Sequence, residues 1–317
     1  MKYHTFRSVF LLLTLATFVA MTGCESDNPD AMGELQVSVT DAPVDDTNVE
    51  GVFVTVTEVK VNGKAATGFS GKQTIDLLAY QNGNTQLLRM GEVEPKSYGE
   101  LPLSLPPEPD PKADPPGCYV KTLDGTRHDL ATSTASTLEV SAKGLIEVME
   151  NTRTDAVIDF DLRKSIAYAG SGNAYTFASD SELGSALRLV AAGKTGSIKG
   201  TYTGSTVGAE KVVVYAYKKG EFNKETEMQA QGSSGIQFKN AVSSALVSGN
   251  AYTLAFLEPG EYEVCFATYE DANQDGKMEF AGFLQGSLML TGSVTSLVSV
   301  EAGLQATLVL QIIGIIG

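Results

Sequence analysis

The feature that most constrains this chain is a period of two. Apolar residues recur at alternate positions in one segment after another, and no long stretch repeats them at 3.6. Leu35, Val37 and Val39 alternate with Glu34, Gln36, Ser38 and Thr40. Val52, Val54 and Val56 share a face; the phase then slips to Val59 and Val61, which predicts a bulge near Thr57. Ala156, Ile158, Phe160 and Leu162 face one way, and Asp159, Asp161 and Arg163 the other. Val212 to Val214 with Tyr215 and Tyr217 make a β-rich run, and Tyr262, Val264 and Phe266 alternate with Glu261, Glu263 and Cys265. Leu308, Leu310 and Ile312 close the chain in the same phase, so the apolar tail reads as a last strand. Asn82-Gly83 and Asp124-Gly125 supply turns, the latter at the tip of a strand–turn–strand from Tyr119 to His128. A short helix is expected at 241–247, where Ala and Ser dominate. The pattern predicts an all-β fold.

Two breaks interrupt the strands. The Pro-rich stretch from Leu105 to Gly117 reads as an extended loop within one domain. The run Ala191-Ala192-Gly193-Lys194-Thr195-Gly196 separates two alternating segments and is taken as the domain boundary. With 317 residues there is room for about two domains. The expectation is therefore two β-sandwich-type domains in tandem, 33–192 and 193–317. Glu94-Pro95-Lys96-Ser97-Tyr98 and Glu258-Pro259-Gly260-Glu261-Tyr262 echo each other, with Pro and Tyr at one spacing before a strand.

Charge and composition exclude several functions. A formal net charge of −15 argues against nucleic-acid binding, which needs a basic surface. Two His, three Cys and no Trp leave no material for a His-rich metal site, a zinc ribbon or a Trp-based sugar platform. His128 is the one His beyond the N-terminal segment, and no nucleophile elbow accompanies it. Cys118 and Cys265 fall in different domains and are expected as free thiols, Cys265 buried as a small apolar residue.

The N-terminus reads as an address. Lys2 and Arg7 precede an apolar run from Val9 to Met21, shorter than the ~20 residues of a membrane span. The run ends in Met21-Thr22-Gly23-Cys24, which resembles the bacterial lipobox. That resemblance implies a signal peptide over 1–23, acylation of Cys24 as the mature N-terminus, and a membrane contact through the lipid, with 24–32 as a tether. Glu25, where Asp favours inner-membrane retention, implies the outer membrane, facing the periplasm or the surface.

Gly33 to Pro43, containing Thr40-Asp41-Ala42-Pro43, then Ile75-Asp76-Leu77-Leu78 with Asn82-Gly83, and Val157 to Ser165 form a distinctive set. Together they look like the bacterial lipoprotein family called domain of unknown function 4382. The resemblance runs from about Gly33 to Val190 and implies a secreted, mainly β domain. Ile198-Lys199-Gly200-Thr201 and Leu257 to Val264 are similar to the carboxypeptidase-regulatory, transthyretin-like β-sandwiches, which implies an accessory module rather than a catalyst.

Two groups of residues carry chemistry. Asp271, Asn273 and Asp275, then Gly276, Lys277 and Glu279, place oxygen side chains at alternate positions before a Gly, as a calcium loop requires. Lys277 would offer its backbone carbonyl. Position twelve is Gly282, so the set is not a full EF-hand, and a polar hairpin tip is the competing reading. Asp41, Asp45 and Asp46 with Asp159 and Asp161 form a second acidic set. It reads mainly as structure: an Asx turn at Asp41, and pairing of Asp159 and Asp161 with Arg163 or Lys164 on an exposed strand face. The expected function is a non-catalytic binding or scaffolding module of the cell envelope, with an envelope protein or a glycan as partner. The alternatives are a glycan-active hydrolase using Asp41, Asp159 and Asp161, and an adhesin or envelope-assembly subunit.

Overall fold

The alternating segments do become strands, and they pair across long sequence distances. The computed structural model describes residues 31–42, 46, 48–65, 68, 71–106, 117–130, 137–168, 175–203, 210–275, 277–290, 293–294 and 296–316. The signal segment with Cys24, the tether up to Asp30, Asp45, Gly276 and the Pro-rich stretch from 107 to 116 lie outside these residues.

In the N-terminal part, eight strands form one sheet. Their order is Lys64–Ala65, Glu58–Val61, Ser97–Leu105, Leu138–Glu147, Leu187–Ala191, Arg153–Asp161, Gly33–Ala42 and Gln86–Val93. A second sheet carries Gln73–Asp76, Val49–Val56, Tyr119–Thr122 and Arg127–Asp129. The phase slip at Thr57 is where one strand leaves the four-stranded sheet and enters the eight-stranded one, rather than a bulge within one strand. Thr57 fixes the corner by donating its N–H and its hydroxyl to the Ser104 carbonyl, at 2.8 and 3.0 Å. Leu35, Val37, Val52, Val54, Leu103 and Ile158 fill the core.

Gly33–Ala42 and Arg153–Asp161 run parallel, in register from Glu34 against Arg153 to Ala42 against Asp161. Strands at the middle of a sheet with cover on both faces bury both phases of their alternation. That is why Asp41, Asp159 and Asp161 are buried, and the expected exposed strand face is corrected; Arg163, in the helical turn that follows, is buried beside them.

The chain leaves the first part at Ala191, passes a 3₁₀ turn at Ala192–Lys194 and enters the second at Gly196. Its main sheet runs Ser243–Leu246, Lys211–Lys218, Gly260–Glu270, Glu279–Leu290, Gln305–Ile316, Gly196–Thr203 and Ala251–Leu257. The first and last of these are joined by the turn 247–250, so the sheet curls back on itself. Ser243–Leu246 replaces the helix expected at 241–247; pairing with Lys211–Lys218 outweighs the local helical preference of its Ala residues. The tail is an inner strand between Glu279–Leu290 and Gly196–Thr203, as its alternation implies.

Lys211–Lys218 is buried on both faces. Val212, Val214 and Ala216 join Ile198, Leu254, Phe266 and Leu308 inside the curl. Val213, Tyr215 and Tyr217 point outward under a cover formed by 219–242, where Phe238 stacks on Tyr215 with centroids 4.4 Å apart. Buried Glu227 anchors the cover by accepting from the Tyr217 hydroxyl at 3.0 Å and from the Asn240 N–H at 3.1 Å.

The sequence echo has a geometric counterpart. Tyr98 donates its hydroxyl to the Glu94 carbonyl, and Tyr262 to the Glu258 carbonyl, each at 2.7 Å. Both rings are buried, and each closes the turn that starts its strand.

Candidate functional site

The two parts meet along a seam built from the residues the sequence marks as acidic. Asp161 ends its strand and accepts from Arg163 Nη2 at 2.9 Å, with Lys164 Nζ at 3.3 Å. Arg163 turns Nη1 to the carbonyls of Gln237 and Phe238, at 2.9 and 3.0 Å, and lies over the Tyr215 ring. Lys164 donates to the Ala241 carbonyl at 2.6 Å. Arg188 repeats the pattern, joining Asp159 Oδ2 and the Phe256 carbonyl, each at 2.6 Å. In each case a carboxylate of the N-terminal part neutralises a cation that donates to backbone of the C-terminal part.

Electrostatics divides the acids. Burial first, and the charge of Asp161 second, hold the Asp41 carboxyl well above the usual carboxylate range. Burial pushes Asp161 the same way, but Arg163 and Lys164 outweigh it and hold that carboxyl low. Asp41 Oδ1 accepts from the Leu162 N–H at 3.3 Å, so the expected Asx turn is replaced by a contact with the helical turn Leu162–Ser165. Asp159 pairs with Arg188 rather than with Arg163 or Lys164. The three carboxylates do sit on neighbouring strands, but each is less than a tenth exposed and turned toward protein groups. What this arrangement does chemically is balance buried charge.

Beside this seam lies a cleft of ≈ 340 Å³. Asp46, Tyr168 and Tyr175 line one wall; Gln237, Lys277 and Glu279 line the other. Tyr175 donates its hydroxyl to Asp46 Oδ2 at 2.6 Å, and its ring lies 5.2 Å from those of Tyr168 and His128. Burial and the Asp46 carboxylate both raise the Tyr175 phenol. Lys277 holds its ammonium 5.3 Å from the Tyr168 ring centroid.

The 271–279 loop joins Gly260–Glu270 to Glu279–Leu290 and reaches this cleft. Lys277 forms a backbone bridge with Asp46, and Asn48 Nδ2 donates to the Asp275 carbonyl at 3.3 Å. Asn273 Oδ1 accepts from the Asp275 N–H at 2.9 Å, and Asp275 Oδ1 from the Lys277 N–H at 2.8 Å. Glu279 reaches back to the Ala272 N–H and to Asn273 Nδ2. Asp271 lies at the start of the loop, where the strand from Gly260 ends. Among the described residues, no group of three or more His, Cys, Asp or Glu side chains is gathered as a metal site. The seam thus brings together two acidic segments more than two hundred residues apart. Arg188, Tyr168, Tyr175 and Gln237 enter the site without a motif of their own; the one local signal is the Arg163-Lys164 pair after the Asp159/Asp161 alternation.

Cys118 is buried and Cys265 half-buried, neither in a disulfide. Among the described residues no helix is long and apolar enough to cross a membrane.

Fold and site define an all-β protein of two interlocked parts with a polar cleft at their seam. Residues 32–178 match the model of the family described as "Domain of unknown function (DUF4382)". No curated protein matches the chain. Among solved structures, a leucine-rich repeat protein from Bacteroides thetaiotaomicron VPI-5482 is 12% identical with a TM-score of 0.18; the match covers 89% of this chain and 26% of that one. GBS52, the minor pilin of Streptococcus agalactiae, is 12% identical with a TM-score of 0.20, covering 88% of this chain and 96% of that one. BcpA, the major pilin subunit of Bacillus cereus, is 9% identical with a TM-score of 0.21, covering 89% and 70%. Likenesses this slight carry no argument about the present chain.

Proposed function

We propose that this protein is a lipid-anchored, non-catalytic binding or scaffolding module of a bacterial outer membrane. The observation that carries this reading is the use made of the acidic set. Asp159 and Asp161 are committed to Arg188, Arg163 and Lys164, which hold the two parts together around a cleft of ≈ 340 Å³. A cleft of this size suits a small polar ligand or one side chain of a partner. The lipobox-like Cys24 supplies the anchor, and the C-terminal part serves as the accessory module that its transthyretin-like segments imply. The partner class is an envelope protein or a glycan.

Three measurements test this. Cys24→Ser should release the protein from membranes and abolish incorporation of labelled palmitate; outer-membrane fractionation with label retained would remove the anchor. Pull-down from envelope extracts should recover a partner that a Tyr168→Ala, Gln237→Ala variant loses. Turnover of an envelope glycan by the purified protein, abolished in Asp41→Asn without a lower melting temperature, would replace the scaffold with a hydrolase.

A further inference from the structure

A second cleft, of ≈ 330 Å³, opens on the other side of the Asp159/Asp161 strand end. Four cations line it, Lys143, Lys164, Arg188 and Lys239, against two acids, Asp159 and Asp161. In a chain of net charge −15 this is an unusual gathering of positive charge. Asp159 is taken by Arg188 at 2.6 Å, and Asp161 is shared between Arg163 and Lys164. Lys239 has Glu182 only at 3.8 Å. Lys143 is exposed, and among the described residues it has no hydrogen-bonding or ion-pair partner.

The backbone is shaped to produce this arrangement. Lys143 lies directly across from Arg188 in the parallel pairing of their strands. Two cations side by side on a sheet repel; here Glu100 lies opposite Lys143 and Asp159 opposite Arg188 on the neighbouring strands. The register of Leu138–Glu147 against Ser97–Leu105 shifts between Lys143 and Ile146. At the shift, Gly144 comes so close to the next strand that a Cβ there would stand 1.9 Å from the Leu189 carbonyl oxygen. Glycine is therefore required at this position, and the irregularity presents Lys143 beside Arg188. Irregularities of this kind commonly re-aim a side chain next to a binding site.

We infer that this cleft binds a small oxyanion, a carboxylate or phosphate group on a sugar-sized molecule, held between Lys143, Arg188 and Lys239. Lys143 and Lys239 supply the ammonium donors, and Arg188, held by Asp159 and the Phe256 carbonyl, adds positive charge beside them. Volume and polarity leave room for one polar ring behind the anion. The inference goes beyond the preceding reading, since it depends neither on the lipid nor on the seam cleft. A silent titration here leaves fractionation and envelope capture as they are.

Calorimetric titration of the full chain in detergent tests it, with inorganic phosphate, galacturonate and galactose as probes. Phosphate or galacturonate should bind, galactose should not, and raised salt should weaken the binding. Heat with galacturonate alone assigns a carboxylate; heat with phosphate alone assigns a phosphate group. Lys143→Gln should weaken binding about tenfold or more, the worth of a charge-assisted hydrogen bond, at an unchanged melting temperature. Lys239→Gln provides the same test from the opposite wall and decides the matter should Lys143→Gln fold poorly. The inference is overturned by no heat with either anion, by galactose binding as well as galacturonate, or by both variants binding like the wild type.

Discussion

The two acidic segments of this protein contain similar residues and end in opposite states. Asp41, Asp159 and Asp161 lie on strands covered on both faces, and two of the three are neutralised by cations from neighbouring positions. The 271–279 loop sits at a hairpin tip, where Asn273 and Asp275 turn their oxygens to backbone amides two residues on. Burial decides the difference. A buried carboxylate must be paired or protonated, and this seam shows both solutions, with Asp161 held ionised and Asp41 favoured as the neutral acid. At an exposed tip, water does the same work and local turns suffice. Substitutions in the seam should therefore be costly, and those in the loop mild.

The largest effect is expected at Arg163. Arg163→Met removes two hydrogen bonds to the Gln237 and Phe238 carbonyls and leaves Asp161 with Lys164 alone. Breaking a buried ion pair from one side costs about 3–5 kcal/mol, which urea denaturation should read as a lower midpoint. The double variant Arg163→Met, Asp161→Asn should lose less than the two single losses added together, because the orphaned charge goes with its partner. A single-variant loss under about 1 kcal/mol would mean that the seam is held elsewhere, chiefly by apolar contact.

A smaller effect, of opposite sign at its two ends, comes from a pair of buried acids. The Asp41 carboxyl is raised, so the stability it contributes is whole below the ordinary carboxylate value and fades as pH rises through the folded-state value. Asp41→Asn keeps an acceptor for the Leu162 amide and cannot ionise. It should melt higher than wild type at pH 8, with a gain on the order of 1 kcal/mol, and the gain should vanish toward pH 3. Glu182 is the reverse case. Although burial opposes it, hydroxyls of Ser234, Ser179 and Ser233 hold its carboxyl down at about 2. Its contribution is present above the ordinary value of 4.5 and is lost as pH falls toward about 2. Glu182→Gln should therefore cost stability at pH 7 and converge with wild type in acid. Parallel pH profiles for the two variants would show that charge is not what distinguishes these sites.

The strands were legible in the sequence because period two is a local property. Leu35, Val37, Val212 and Tyr262 are buried where their phase places them. What lies across the sheet was not legible. The slip after Val56 marks a change of sheet at Thr57, and a change of sheet and a bulge leave the same trace in a single strand. Alternating Asp159 and Asp161 look like an outward face until the parallel partner Gly33–Ala42 and the cover from 237–241 are known. The candidate site depends on such long-range pairings. Asp46 meets Lys277, and Arg163 meets Gln237, through contacts that no local pattern encodes.

The smallest effect is expected where the sequence motif is most conspicuous. The loop Asp271, Asn273, Asp275, Lys277 and Glu279 holds oxygen groups near one turn, and calcium would have to compete for oxygens already accepting from backbone amides. Modules of this openness bind calcium at a Kd of about 10⁻⁴–10⁻³ M. By linkage, calcium at its Kd stabilises the fold by about 0.4 kcal/mol, and at 100 times Kd by about 2.7 kcal/mol. For a chain of this size, 1 kcal/mol moves the melting temperature by about 2–4 °C, so millimolar calcium should raise it by about one to a few degrees. Magnesium should do less, because it requires a tighter octahedral shell. The same loop rests on Asn48 and Asp46, so ordering it would also stiffen one wall of the seam cleft. Calorimetry with calcium, magnesium and chelator, on wild type and on Asp271→Ala, Asp275→Ala, separates the readings. A calcium shift that the double variant loses makes the loop a cation site, whereas equal melting under all conditions makes it a hairpin tip whose carboxylates serve its own turn.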